Sequence, residues 1–426
     1  MNHFSALILI FSISVFYACD QSINVQTEIV DPPSFDHTTG KYADPFDLVI
    51  SHTDPSVQIW YTIDGTNPVA GEDYLFDAGT PIAISDTTEV RAVATKTGLQ
   101  PSQTVQRNFT FPWKKLANLP QARTSAVVAL ISGMVYVAGG LGDDGSSGYE
   151  AKDTLYRYNT ALDSWEQLES MPGARYDAAG GLLGGKLYVI GGSYIDSTPT
   201  TVMTSTVYVY DPSTTHWSTD SAHPLSSSIH APSAATSASA IWVSGGYATG
   251  WVTQSTITLW DPTNGAVAAA TSLPAALAGS STLVYGDFLY VFGGEDTSML
   301  SRTVRKFDMV GAGGWTTCSN INTVLYSGTN VDLGSRFAWA ETGDSVYLFG
   351  GYHNMTPATN IVRKYNISGD TWTTATRLPS DQFRASAGAV SLSDGTIIVV
   401  GGQGGFQYDS SLYRNTVYRY YPLLDN

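Results

Sequence analysis

Arg123, Arg175, Arg336 and Arg384 each stand 14 to 17 residues before a diglycine, at Gly139-Gly140, Gly191-Gly192, Gly350-Gly351 and Gly401-Gly402. His230 holds the matching place before Gly245-Gly246. A guanidinium grips a carboxylate through two parallel N–H bonds, so arginines gathered at one opening suit an anionic ligand. Around them come Tyr194, Tyr247, Trp251, Tyr352, His353 and Phe406, and flat rings can cover the apolar faces of a sugar. The competing reading is that the arginines brace the scaffold and the rings cover its edges.

Catalytic chemistry has one candidate pair, Glu295 and Arg302, just after Gly293-Gly294, where a carboxylate beside a cation could act as general acid and base. The plainer reading is a solvated loop pair. Cys19 and Cys318 are the only cysteines, and the seven histidines are spread too widely for zinc spacing. The segment Asp143-Asp144-Gly145 lacks the ligand series of a calcium loop. No metal and no cofactor are expected, and the balance leans away from an enzyme. With 37 acidic against 21 basic residues, a net charge of −16 argues against nucleic acid as a partner.

These residues need a scaffold, and composition says which kind. Of 426 residues only 14% are charged, while 41 are glycine and 19 proline, which points to turn-rich β structure. A diglycine preceded by an apolar strand recurs six times, also at Gly245-Gly246 and Gly293-Gly294, at intervals of 48 to 57 residues. Apolar strands precede them, such as Val135-Tyr136-Val137 and Val346-Tyr347-Leu348-Phe349, and a second strand such as Leu155-Tyr156-Arg157-Tyr158 follows. Trp165, Trp217, Trp315 and Trp372 close four of the repeats, while in the third the equivalent place falls at Val267. This pattern resembles the kelch repeat.

A sheet of about 50 residues cannot bury its own faces and must stack on like sheets until a ring closes. The expected fold is therefore all-β, with a six-bladed propeller over 113–422. The last repeat lacks its tryptophan strand, and Trp113-Lys114-Lys115-Leu116, ahead of the first repeat, is expected to supply it. The diglycines read as scaffold, because glycine tolerates turns and close backbone approach. Long segments after Leu141, Ser193 and Gln403 mark the face where binding residues belong.

Ahead of the propeller, residues 31–111 alternate with period two, placing Val57, Ile59, Tyr61 and Ile63 on one face before an Asp64-Gly65 turn, with a further strand over Glu89 to Thr95. The run Ile59 to Pro68, with Pro81-Ile82, Val90 to Ala94 and Gly98 to Ser102, resembles the immunoglobulin-like domain at the C-terminus of chitobiases. That resemblance implies a small β-sandwich acting as a spacer or carbohydrate-associated module. Trp60 either stacks on a sugar or packs at a junction.

Leu7 to Tyr17 has the length of a signal-peptide core, too short to span a bilayer as a helix. It ends in Phe16-Tyr17-Ala18-Cys19, which resembles a bacterial lipobox and implies lipidation of Cys19, with 19–30 as a tether. Ordinary cleavage and secretion, or a buried N-terminal helix, are the alternatives. Together these features describe a cell-envelope recognition module, lipid-anchored at a bacterial outer membrane or surface, with a protein or glycan ligand on the loop face. Two other readings stand beside it. Kelch resemblance includes the bacterial sialic acid mutarotases, which would make Glu295 and Arg302 catalytic; a structural envelope-assembly module is the other.

Overall fold

The computed structural model describes residues 28–145, 148–296, 299–311, 313–321, 324–326, 329–331, 333–353, 358–405 and 410–425. Cys19 and Phe406 lie outside the described residues, as does the side chain of His353. Among the described residues there is no α-helix; strands dominate, with two 3-10 turns at Ser410–Leu412 and Pro422–Leu424. No described helix is long and apolar enough to cross a membrane.

The chain divides into two compact units, one holding Leu48–Ile82 and Glu89–Arg107, the other Thr39–Asp47, Ala83–Thr88 and Asn108–Asn426. In the N-terminal sandwich, Gln58–Thr62 lies between Thr88–Thr95 and Tyr74–Leu75 in one sheet. Val90, Ala92 and Ala94 are buried together. The expected alternation does not hold along its neighbour: Ile59 and Thr62 are buried whereas Ile63 is 48% exposed. Asp64-Gly65 forms an Asx turn, with the Thr66 N–H donating to Asp64 Oδ1, inside a longer connection rather than a two-residue hairpin. Trp60 donates its indole N–H to Thr95 Oγ1 across the sheet.

Six four-stranded sheets make the propeller, and the inner strands are Val127–Ile131, Ala179–Leu183, Ser233–Thr236, Ser281–Tyr285, Ala338–Thr342 and Gly388–Ser391. In the sixth blade Trp113–Leu116 pairs antiparallel with Val417–Tyr420, from Trp113 opposite Tyr420 to Leu116 opposite Val417. Ring closure thus joins the two ends of the propeller segment by sheet hydrogen bonds. Six apolar clusters fill the gaps between successive blades; one, for example, packs Val135 and Tyr156 of the first blade against Ile398 and Val417 of the sixth.

An indole in each blade donates to the linking backbone, in five of them from the outer edge. Trp165, Trp217, Trp315, Trp372 and Trp113 donate to the carbonyls of Ala117, Glu169, Ser272, Ser319 and Thr376. In the third blade, where the sequence places Val267, Trp260 on the neighbouring strand does this work, donating to His223 O at 2.8 Å. The bond is kept by a residue one strand further in.

The blades are also stitched at the axis. Ser125, Asp177, Ala231, Gly279, Arg336 and Ser386, one per blade, all have positive φ between 48° and 57°. Each donates its N–H to the carbonyl of the preceding one, and Ser125 closes the circle on Ser386, at 2.8 to 3.1 Å. Six peptide groups that would otherwise face the channel unpaired thus satisfy each other.

Candidate functional site

The residue after each diglycine sits at the mouth of this ring. Leu141, Ser193, Tyr247, Glu295, Tyr352 and Gln403 bridge to Thr124, Tyr176, His230, Ala278, Ser335 and Ala385, each the residue just before a ring position. Two short arcs per blade therefore converge on the axis, and their side chains decide what the mouth presents.

This geometry corrects the expected circle of arginines. Arg123, Arg175 and Arg384 stand two residues before the ring position and turn into their own blades, whereas Arg336 stands on it. Arg123 is 1% exposed, donates to Gly139 O, Thr154 Oγ1 and Gln121 Oε1, and lies over the Tyr156 ring. Arg384 is fully buried and repeats the arrangement with Gly401 O, Thr416 Oγ1 and Gln382 Oε1 over Tyr418. Burial pushes both guanidiniums down to about 10. Arg175 donates to Thr206 Oγ1 and the Tyr208 hydroxyl, and lies over the rings of Tyr208 at 4.6 Å and Tyr194 at 5.5 Å. These three brace blades; they do not form an open positive ring.

Arg336 does something else. Its Nε donates to Glu295 Oε1 at 3.0 Å, and its Nη1 reaches both oxygens of Asp177 at 3.1 and 3.2 Å. The Glu295 carboxylate also accepts from Ser335 Oγ at 2.9 Å and from the Tyr247 hydroxyl at 3.4 Å. Its cationic partner is thus Arg336 and not Arg302, whose carbonyl accepts from the Ile321 N–H. Residues from the second, fourth and fifth blades meet in one ionic cluster.

His230 joins it from the third. Its Nε2 lies 3.3 Å from Asp177 Oδ2, its Nδ1 2.9 Å from Ser193 Oγ, and its ring packs edge-on to Tyr176 at 5.5 Å and Trp251 at 5.0 Å. Burial pushes the imidazole down, against the pull of Asp177, so His230 is neutral near pH 7. For Asp177 burial works against the charge, but Arg336 and His230 outweigh it and hold the carboxyl below its ordinary range. Burial likewise opposes the charge on Arg336, and Asp177 and Glu295 overcome it. The Tyr247 hydroxyl, pushed up to about 12 by burial and then by Glu295, stays a donor.

Trp251 caps the group. It is 46% exposed, has φ +62°, and lies 5.8 Å from Tyr247. The Tyr352 hydroxyl is bonded to Gln403 Nε2 and pushed upward by burial, with Asp177 and Glu295 adding to the push and Arg336 opposing it. Beneath the mouth a pocket of about 120 Å³ is lined by ring residues including Asp177, Arg336 and Ser386, and it adjoins an axial cavity of about 540 Å³ along the inner strands. Among the described residues no group of three His, Cys, Asp or Glu side chains is placed to hold a metal ion.

Tyr247, Trp251, His230, Arg336 and Glu295, all candidates singled out from the sequence, are brought together here. Asp177, Ser193 and Ser335 were missed. Their signal is positional: Ser193 follows a diglycine, and Asp177 lies two residues beyond Arg175.

Comparison with known proteins agrees with this architecture. Residues 37–106 match the chitobiase/beta-hexosaminidase C-terminal domain, 112–257 the Attractin/LZTR1 beta-propeller, and 334–379 the kelch motif. Kelch-like protein 36 of Bos taurus is 26% identical over 270 residues, covering 63% of this chain and 42% of its own length. Kelch-like protein 26 of Danio rerio is 24% identical over 307 residues, covering 69% and 45%. The chain thus spans less than half the length of these relatives. A solved structure titled "Structure of YjhT" superposes with TM-score 0.58 at 17% identity, covering 71% of this chain and 95% of its own, which shows a shared fold. The chain carries a chitobiase C-terminal-like module followed by a six-bladed kelch propeller, a scaffold that generally binds proteins.

Proposed function

We propose that this protein is an envelope-anchored recognition module that takes a protein-borne or glycan ligand on the propeller mouth around Trp251, Tyr247, Asp177 and Arg336. The observation that carries the reading is Trp251. A tryptophan at positive φ costs roughly 1–2 kcal/mol in backbone strain, and here the ring is left half in water instead of packed away. Strain held at a solvent-facing aromatic beside a buried ionic cluster is what a preorganised contact surface requires. On glycan and peptide arrays probed with the full chain, Trp251→Ala should abolish the hits while melting within a degree or two of the parent. Retained binding in that variant would remove the mouth from the account.

The anchor belongs to the same proposal. Lipid on Cys19 would tether the chain firmly only with more than one acyl group. Fatty-acid labelling should be lost in Cys19→Ser and the protein should leave the membrane fraction; unchanged partitioning would favour the secreted alternative.

One arrangement favours a second, enzymatic reading. Glu295 is held at the mouth with the protonated Tyr247 hydroxyl beside it, and Arg336 stands where the sequence suggested Arg302. An acid/base carboxylate of this kind could serve sugar-ring opening. Anomer relaxation of sialic acid followed by NMR should then accelerate with the parent and not with Glu295→Gln, whereas an unchanged rate leaves recognition as the function.

A further inference from the structure

The proposal above leaves the ligand's class open, and the atoms that face the pocket narrow it. Two carboxylates, Asp177 and Glu295, surround one guanidinium, and the neighbouring His230 is neutral, so the cluster carries one negative charge in excess. A carboxylate or sulfate brought here would meet that excess on a chain whose net charge is already −16. The expected preference for an anionic ligand therefore has no support at this mouth. A cation fares little better on the pocket side. Nε and Nη1 of Arg336 are committed to Glu295 and Asp177, but Nη2 has no hydrogen-bond partner among the described residues, and Arg336 lines the pocket. An ammonium entering there would face a guanidinium edge.

A hydroxyl suits both neighbours, because it can accept from Nη2 and donate to a carboxylate oxygen at once. The pocket also holds Ser386 Oγ, which is buried without a hydrogen bond among the described residues. About 120 Å³ is room enough for the hydroxyl edge of one sugar ring. Trp251 is separated from Asp177 by only one imidazole, with ring centroids 5.0 Å apart on one side of His230 and 3.3 Å from Nε2 to Oδ2 on the other. His230 thus stands between a flat apolar ring on one side and a mixed donor and acceptor pocket on the other.

We infer that the mouth binds an uncharged glycan, the apolar face of one ring on Trp251 and hydroxyls further along it turned to Arg336, Asp177 and Ser386. This rests on the recognition reading above and names the ligand class for the same site. Binding of this kind depends on hydrogen bonds and ring contact rather than on net charge, so it is nearly indifferent to salt, unlike capture of an acidic glycan.

The test uses the full chain on an array of paired neutral and acidic oligosaccharides, then calorimetry with the strongest neutral hit at low and high salt. Neutral glycans should dominate, with affinity changing less than about twofold between the two salts. Ser386→Ala, which removes a hydroxyl with no partner in the fold, should weaken binding roughly three- to tenfold without lowering the melting temperature. Asp177→Asn should weaken it roughly tenfold or more; if that variant fails to fold, the serine variant still decides. Acidic glycans as the main hits, strong salt dependence, or full affinity in Ser386→Ala would overturn the inference. If instead a peptide or an acidic glycan binds and Trp251→Ala removes it, the sugar class is wrong and the recognition reading stands. A folded protein that binds nothing on either array ends both.

Discussion

Arginine chemistry was legible in the sequence, but its register was not. Arg123, Arg175, Arg336 and Arg384 look alike by spacing to the diglycines, yet a shift of two residues sends three of them into blades and one to the axis. A repeat of 48 to 57 residues has loops of unequal length, so spacing alone cannot fix register where one residue decides the direction of a side chain. The mouth also makes stability sensitive to acid. His230 has its imidazole lowered from 6.5, and Asp177 its carboxyl lowered from 3.8, so in both cases the unfolded chain takes up the proton first as pH falls. Their contribution is full above pH 6.5; the His230 share is lost as pH falls from there through its folded value, and the Asp177 share goes below 3.8. Thermal melts at pH 8, 6 and 5 should show a decline below pH 6.5 that His230→Gln, compared with its own value at pH 8, flattens. An identical decline in the variant would place the sensitive group elsewhere.

Strands and turns were the most legible part of the propeller, because the apolar run before each diglycine and the aromatic strand after it repeat six times. What the sequence hid was compensation between elements, as with Trp260 standing in for the missing outer tryptophan. In the sandwich, alternation failed at Ile63 because the strand ends at Thr62 and turns into the Asp64 loop. The diglycines have a plain physical reason. A Cβ on Gly350, whose φ is +68°, would fall on the backbone carbonyl of Arg384, which already accepts from the Gly351 N–H. Gly343 has a similar φ of +58° but nothing within 4 Å. Gly343→Ala should therefore cost about 1–2 kcal/mol for the backbone alone, and Gly350→Ala should cost several kcal/mol or prevent folding. Urea melts of the pair decide this; equal losses would mean that the diglycines matter only for their dihedral angles.

At the scale of the molecule, the sixth blade is built from both ends of the propeller segment, and that closure could be read from an orphan strand at one end and a missing one at the other. Trp113 is the pin. It is 5% exposed, packs 4.6 Å from Tyr420, and donates to Thr376 O. Trp113→Ala should cost about 3–5 kcal/mol and make unfolding begin at the sixth blade, which hydrogen exchange at Val417–Tyr420 would report first. Uniform exchange across all blades would mean that closure is no weaker than any other joint. Folding as a ring also explains why the candidate site residues come from five blades and so from positions more than 150 residues apart, such as Asp177 and Arg336.

The central claim is that one face group, Trp251 with the Asp177, Arg336 and Glu295 cluster, binds, while the other arginines only hold the scaffold. Ligand affinity and melting temperature measured together for Trp251→Ala and Arg384→Ala test it most directly. Trp251→Ala is expected to lose affinity by more than tenfold and keep its melting temperature. Arg384→Ala, which leaves Gly401 O and Thr416 Oγ1 without this donor and Gln382 Oε1 with Thr416 Oγ1 alone, is expected to lose about 2–4 kcal/mol of stability and bind normally below its lower melting temperature. The reverse pattern, with binding lost in a stable Arg384→Ala and retained in Trp251→Ala, would contradict the account.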